Sequence, residues 1–143
     1  MSDDRPIPDT PGDPTGGFVA QSLEASLTAA DLEASAAWYV DVLGFSLDHE
    51  FRREGRLFAV RVRAGAVQLL LTRDDGSRGA ERVKGEGISL QLTTRQDVDE
   101  VAARIRARGG VLATEPFDAF GKRAFRLLDP DGFRITISSP DAR

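Results

Sequence analysis

Few side chains in this 143-residue chain are equipped for covalent or metal chemistry. It has one histidine, His49, and no cysteine. Thiolate catalysis, disulfides and thiolate metal sites are therefore excluded. One imidazole without a Ser-His-Asp order makes no hydrolytic triad, and neither a phosphate-binding glycine loop nor a zinc motif occurs. What remains is carboxylate, guanidinium and aromatic chemistry. Glu24 stands in L-E-A-S-L-T-A, where apolar Leu23, Ala25, Leu27 and Ala29 alternate with Glu24, Ser26 and Thr28. A carboxylate buried in an apolar cavity holds its proton more tightly and can serve as a general base. At a partly wet strand end the same carboxylate would pair with an arginine. Arg61 and Arg123 could reach an anionic group, although strand arginines are commonly solvated. Phe51, Phe58, Phe117 and Phe120 could line a pocket for a flat apolar ligand or pack into the core. His49 reads as an exposed strand residue.

The elements that would position these groups come in a repeated order. The alternation over Leu23–Ala29 predicts a half-buried strand. Asp31 then caps a helix whose apolar stripe is Leu32, Ser35, Ala36, Tyr39, Val40 and Leu43, and Gly44 ends it. Of Trp38 and Tyr39, one packs into the core. Phe45–Phe51, Leu57–Val62 and Val67–Leu71 alternate again, with Gly55 and Gly65 marking turns. Thr72–Gly87 is polar and glycine-rich and reads as a linker. Ile88, Leu90 and Leu92 alternate with Ser89, Gln91 and Thr93 to open a second unit. Asp97 starts its helix, with Val98, Val101, Ala102 and Ile105 on the apolar stripe, and Gly109–Gly110 ends it. Short strands follow over Val111–Thr114, Arg123–Leu128 and Phe133–Ile137, the last two joined by the D-P-D-G turn, Asp129–Gly132. Asp31 precedes Gly44 by 13 residues, and Asp97 precedes Gly110 by 13. The fold class is therefore α+β, built as two tandem strand-helix-strand-strand-strand modules at about residues 20–73 and 87–139. Each would form a curved mixed sheet with a helix on one face, the other face lining a pocket.

The composition is that of one domain, residues 18–140, with 41% hydrophobic residues to fill a core. Residues 1–17 are acidic and rich in Pro and Gly, which reads as a disordered leader and not a signal peptide. No apolar run approaches the roughly 20 residues that span a bilayer. Arginines are scattered among acids, and the net charge is -4, so neither nucleic acid nor membrane is expected as a partner. A small-molecule ligand is, in a cytoplasmic protein. The mild acidity favours a cationic ligand slightly.

Two stretches carry a family resemblance. D-L-E-A-S-A-A-W-Y-V-D-V-L-G-F, Asp31–Phe45, resembles the first-helix signature of the vicinal oxygen chelate superfamily, which includes glyoxalases, bleomycin-resistance proteins and extradiol dioxygenases. P-F-D-A-F-G-K-R-A-F-R-L-L-D-P-D-G-F-R-I-T-I, Pro116–Ile137, resembles its closing strands. The resemblance covers about residues 20–139 and implies paired βαβββ modules. It also implies addresses for four inward ligands of a metal: Glu24, Leu70 (or Gln68 one register step away), Ser89 (with Gln91 as a near neighbour) and Thr136. One carboxylate, one aliphatic side chain and two hydroxyls suit a divalent ion poorly. No metal and no cofactor are therefore expected. The P-F-D-A-F-G loop borders the pocket in the resembling family, which makes Phe117 and Phe120 the better aromatic pair. The ligand-binding set is thus Glu24, Gln68, Leu70, Ser89, Gln91, Phe117, Phe120 and Thr136. The resemblance implies a homodimer, and a binding protein of the bleomycin-resistance kind that sequesters an aromatic or cationic compound. One alternative is a metal-independent isomerase, cyclase or lyase with Glu24 as catalytic base; another is a metal-dependent lyase or dioxygenase.

Overall fold

Both helices start where an aspartate supplies the first acceptor. The Asp31 carboxylate accepts the Ala34 N–H at 3.0 Å, and the Asp97 carboxylate accepts that of Glu100 at 3.1 Å. Each such cap contributes about 1 kcal/mol. In the computed structural model, which describes residues 17–77, 79 and 83–140, these helices are α1 (Leu32–Asp41) and α2 (Val98–Ala107). Around them run β1 (Ala25–Ala29), β2 (Ser46–Arg53), β3 (Arg56–Ala64), β4 (Val67–Arg73), β5 (Ser89–Thr93), β6 (Leu112–Ala119), β7 (Lys122–Leu128) and β8 (Arg134–Ser138). The expected leader lies almost wholly outside the described residues.

The strands form two four-stranded mixed sheets of matching topology, β1-β4-β3-β2 and β5-β8-β7-β6. The outer pairs β1–β4 and β5–β8 are parallel and the others antiparallel. The α+β fold of two βαβββ modules is thus present. Alternation sends one row of each sheet toward its helix. Leu27, Val60, Val62, Leu69 and Leu71 are buried in the first module with Leu32 and Tyr39 of α1. Phe125, Leu127, Ile135 and Ile137 are buried in the second with Val98, Val101, Ala102 and Ile105 of α2. The two sets merge into one hydrophobic cluster. Tyr39 is the buried member of the Trp38–Tyr39 pair.

Four local expectations are corrected. The parallel ladder begins at Ala25, opposite Leu69, so Leu23 precedes β1 and is 91% exposed. Thr72 and Arg73 belong to β4, opposite Thr28 and Ala29, and not to the linker. The P-F-D-A-F-G segment is not a loop: β6 runs through Pro116 to Ala119. That strand is the sheet's edge, where a missing proline N–H costs no ladder bond, and its register breaks on both sides of Thr114. Val111 stays outside it, 82% exposed.

The matching modules extend to their hairpin tips. Glu54–Gly55 links β2 to β3 with φ of 53° and 78°, and Phe120–Gly121 links β6 to β7 with 53° and 76°. Two consecutive left-handed residues are what a tight two-residue hairpin needs. The first hairpin carries one residue more. Phe51 pairs with Ala59 and Arg52 with Leu57, so Phe58 is the bulged residue.

Candidate functional site

Each sheet has a face turned away from its helix, and register decides which side chains share it. In the first sheet Ser26, Leu70, Arg61 and His49 form one cross-strand row. Thr28, Thr72, Ala59 and Phe51 form the next, and Gln68 with Arg63 a third. In the second sheet Gln91, Thr136, Arg126 and Thr114 form the matching row. Thr93, Ser138, Ala124 and Phe117 lie beside it on one side, Ser89 and Arg134 on the other. By position Arg61 corresponds to Arg126, Phe51 to Phe117 and Leu70 to Thr136. Both modules repeat one contact: the guanidinium of Arg61 lies 5.1 Å from the Phe51 ring centre, and that of Arg126 lies 5.1 Å from Phe117. In such cation–π pairs the guanidinium covers one face of the ring, so charge and aromatic surface lie together.

The charges on the two faces differ. Arg61 Nε donates to Glu24 Oε2 at 2.6 Å and Arg63 Nε to Asp48 Oδ1 at 3.2 Å. Arg126 and Arg134 have no carboxylate within ion-pair distance among the described residues. Gln91 organises the second face by donating its amide to Ser89 Oγ at 2.7 Å and to Thr136 Oγ1 at 3.5 Å. His49 is exposed and meets Phe51 edge-on at 4.4 Å.

The residues named from sequence fall as follows. Glu24 lies just ahead of β1, with its side chain 30% exposed and its carboxylate engaged by Arg61. Leu70 and Gln68 are half-buried on the first face. Ser89, Gln91 and Thr136 come together on the second, Thr136 buried and the others exposed. Phe117 is half-buried beneath Arg126, whereas Phe120 is fully exposed at the hairpin tip, apart from Phe117. Phe51 and Phe58 are absent from the hydrophobic cluster; both reach the surface, 6.3 Å apart, with Arg53 4.8 Å over Phe58. A bulge, invisible in the alternation pattern, is what turns Phe58 outward. Arg123 is taken up by Asp99 at 2.9 Å, which holds that carboxyl below the usual carboxylate range.

The donor set does not fit a metal. Glu24, Leu70, Ser89 and Thr136 offer one carboxylate, already bound to a guanidinium, and two weak hydroxyl ligands. Among the described residues no three His, Asp or Glu gather as a metal-holding group.

One polar cluster went unnoticed in the sequence. At the joint between the modules, the Tyr39 hydroxyl donates to Asp129 Oδ2 at 2.8 Å. Asp129 Oδ1 accepts the N–H groups of Asp131 and Phe133 at 2.8 and 2.9 Å. Asp131 accepts from the Ala30 N–H, the Ser35 hydroxyl and the Lys84 ammonium at 2.9, 3.1 and 3.2 Å. Lys84 also meets Asp74 at 2.8 Å. Burial pushes the Asp129 carboxyl up, against the pull of its donors, and pushes the Tyr39 phenol far up. Burial would lower Lys84, but its two carboxylate partners outweigh that and hold it above the usual lysine value. The D-P-D-G turn thus clamps α1 onto the second module; two aspartates in one turn and the sole tyrosine were its only sequence signals. A cavity of about 840 Å³ opens elsewhere, at the tip of the first hairpin, among Arg53, Arg56, Phe58, Thr72 and Asp75. None of the eight residues of the expected ligand-binding set lines it, although Phe58, named from sequence as a possible pocket wall, does.

The family model for the Glyoxalase/Bleomycin resistance protein/Dioxygenase superfamily matches residues 21–137. Solved structures share the fold. TioX from Micromonospora sp. ML1 is 20% identical, with a TM-score of 0.68 over 84% of this chain and 98% of that one. UcmS2 is 16% identical, with a TM-score of 0.72 over 86% and 100%. TnmS3, an antibiotic binding protein from Streptomyces sp. CB03234, is 24% identical, with a TM-score of 0.67 over 86% and 98%. None of the curated proteins matches the chain. Among the described residues no helix is long and apolar enough to cross a membrane.

Proposed function

The chain belongs to the Glyoxalase/Bleomycin resistance protein/Dioxygenase superfamily, and within it we propose that this protein binds and sequesters a small aromatic compound without a catalytic metal. The observation that carries this reading is the paired Arg-on-Phe contact on the outward face of each sheet. Flat rings stack on guanidinium planes as well as on aromatic ones, and the surrounding Ser, Thr and Gln side chains supply orienting hydrogen bonds. A fold neighbour described as an antibiotic binding protein supports the same direction. We place the protein in the cytoplasm as a homodimer, in which a face of one subunit closes a groove over a face of the other.

The cationic half of the expectation has less support, because Glu24 is already neutralised by Arg61. The same contact counts against Glu24 as a base: that role requires apolar burial, and Glu24 is exposed and ion-paired. Thermal denaturation with aromatic polyketides, cationic glycopeptides and thiol conjugates tests the reading. A true ligand at 100 times its Kd stabilises by about 2.7 kcal/mol, and silence from every class overturns it. Stoichiometric metal in protein purified without chelator would overturn the metal-free part. A monomeric mass by light scattering would overturn the dimer.

A further inference from the structure

We propose that the second module's face is the anion-accepting half of the site, and that the ligand is an aromatic carboxylate; this rests on the small-molecule reading above and deepens it. The two modules place arginines on corresponding faces, yet treat them oppositely. In the first, Arg61 is neutralised by Glu24 and Arg63 by Asp48. In the second, the position corresponding to Glu24 holds Ser89, and Arg126 and Arg134 keep their charge without a carboxylate partner among the described residues. Arg134 lies two residues before Thr136 on β8, and Arg126 lies opposite Thr136 on β7. They are therefore diagonal neighbours on one face, with backbone positions about 7–8 Å apart, a span that one carboxylate can bridge through two long side chains.

The neutral groups between them have the right polarity. Ser89 Oγ and Thr136 Oγ1 both accept from the Gln91 amide, which leaves each hydroxyl hydrogen to donate outward. Two guanidiniums and two hydroxyls with hydrogens to give make the surface rich in donors, which complements an acceptor-only carboxylate. Phe117, beneath Arg126 at 5.1 Å, gives the ligand's ring an aromatic neighbour. A cation would meet two uncompensated positive charges here.

Isothermal titration of the full-length protein with 2-naphthoate, 2-naphthamide and 2-naphthylmethylammonium separates the possibilities. Naphthoate should bind about ten-fold more tightly than the amide, as a charge-assisted contact allows, and the preference should shrink as salt rises. Arg126→Gln should bring naphthoate down to the amide's affinity measured in the same variant, so that the ratio of the two falls to about one. Arg126→Lys should retain part of the preference, and Arg134→Gln should lose less of it. Equal binding of amide and naphthoate, tighter binding of the ammonium, or an unchanged preference in Arg126→Gln overturns the proposal while the small-molecule reading stands. Binding of none of the three also overturns it, and the wider panel then decides the reading beneath.

Discussion

The joint between the modules and the open sheet faces are both rich in charge, and they use it in opposite ways. At the joint, the Lys84 and Asp131 side chains are each 8% exposed, and Asp129, Tyr39 and Ser35 close the network with hydrogen bonds. On the first face, Arg61 and Glu24 are 28% and 30% exposed. Buried polar groups must be matched almost completely, because an orphaned one costs its full desolvation. Exposed ion pairs contribute little and can be exchanged for a ligand. Polarity at the joint fixes the two modules against each other, whereas polarity on the faces stays available for recognition.

The largest expected effect comes from emptying the joint. Asp129→Ala orphans the Tyr39 hydroxyl and the N–H groups of Asp131 and Phe133 at once. A loss of about 4 kcal/mol is expected in urea denaturation, from about 1–3 kcal/mol per orphaned group with partial relief by water. A loss below about 1 kcal/mol would mean that the joint is no better matched than the faces. Gly110→Ala attacks a different contact between the modules, and does so sterically. A Cβ there would sit 2.4 Å from Ile105 Cγ2 and 2.8 Å from Val42 Cγ1, where α2 ends against the chain leaving α1. Overpacking of this kind costs about 1–3 kcal/mol, and unchanged stability would show that contact to be loose.

That division of labour was only half legible in the sequence. Asp31, Gly44, Asp97 and Gly110 announced both helices because capping is local chemistry. Leu90 and Leu92 against Ser89 and Gln91 announced which face each β5 residue would take, since a strand's period is two. The joint was hidden because Tyr39 and Asp129 are 90 residues apart, and no local pattern reports such a pairing. The Glu24–Arg61 contact was hidden in its particulars for the same reason, although an arginine partner for Glu24 was foreseeable as a class. Phe58 escaped because one extra residue in a hairpin inverts which side a ring faces. The equivalence of Arg61 and Arg126 needed both registers, since the two hairpins differ in length.

Asp129 also gives the joint a pH signature. Its folded pKa is raised by burial, so between the unfolded value and the higher folded value the native state binds more protons. Stability contributed by this group therefore falls as pH rises through that window and is regained on acidification. Glu33 and Asp99, lowered by Arg73 and Arg123, act in the reverse sense at lower pH. Asp129→Asn keeps an acceptor for the two N–H groups and removes the titration. Its stability should fall less steeply than wild type as pH rises above the usual carboxylate range. An identical slope in the variant would show that Asp129 does not titrate in that window.

The smallest effect on stability is expected on the first face, and it makes the comparison sharpest. Glu24→Ser removes the carboxylate that holds Arg61 and installs the residue type found at the corresponding place, Ser89. Both partners are substantially solvated, so the denaturation midpoint should stay within replicate scatter. Binding should not stay the same. With Arg61 released beside Phe51, the first face acquires the uncompensated guanidinium over an aromatic ring that Arg126 and Phe117 already present. Naphthoate should then bind more tightly or with a second equivalent in titration calorimetry, while naphthamide is unaffected. A marked loss of stability would instead assign Glu24–Arg61 to the structural charges of the joint. Unchanged naphthoate binding would mean that charge compensation is not what distinguishes the two faces.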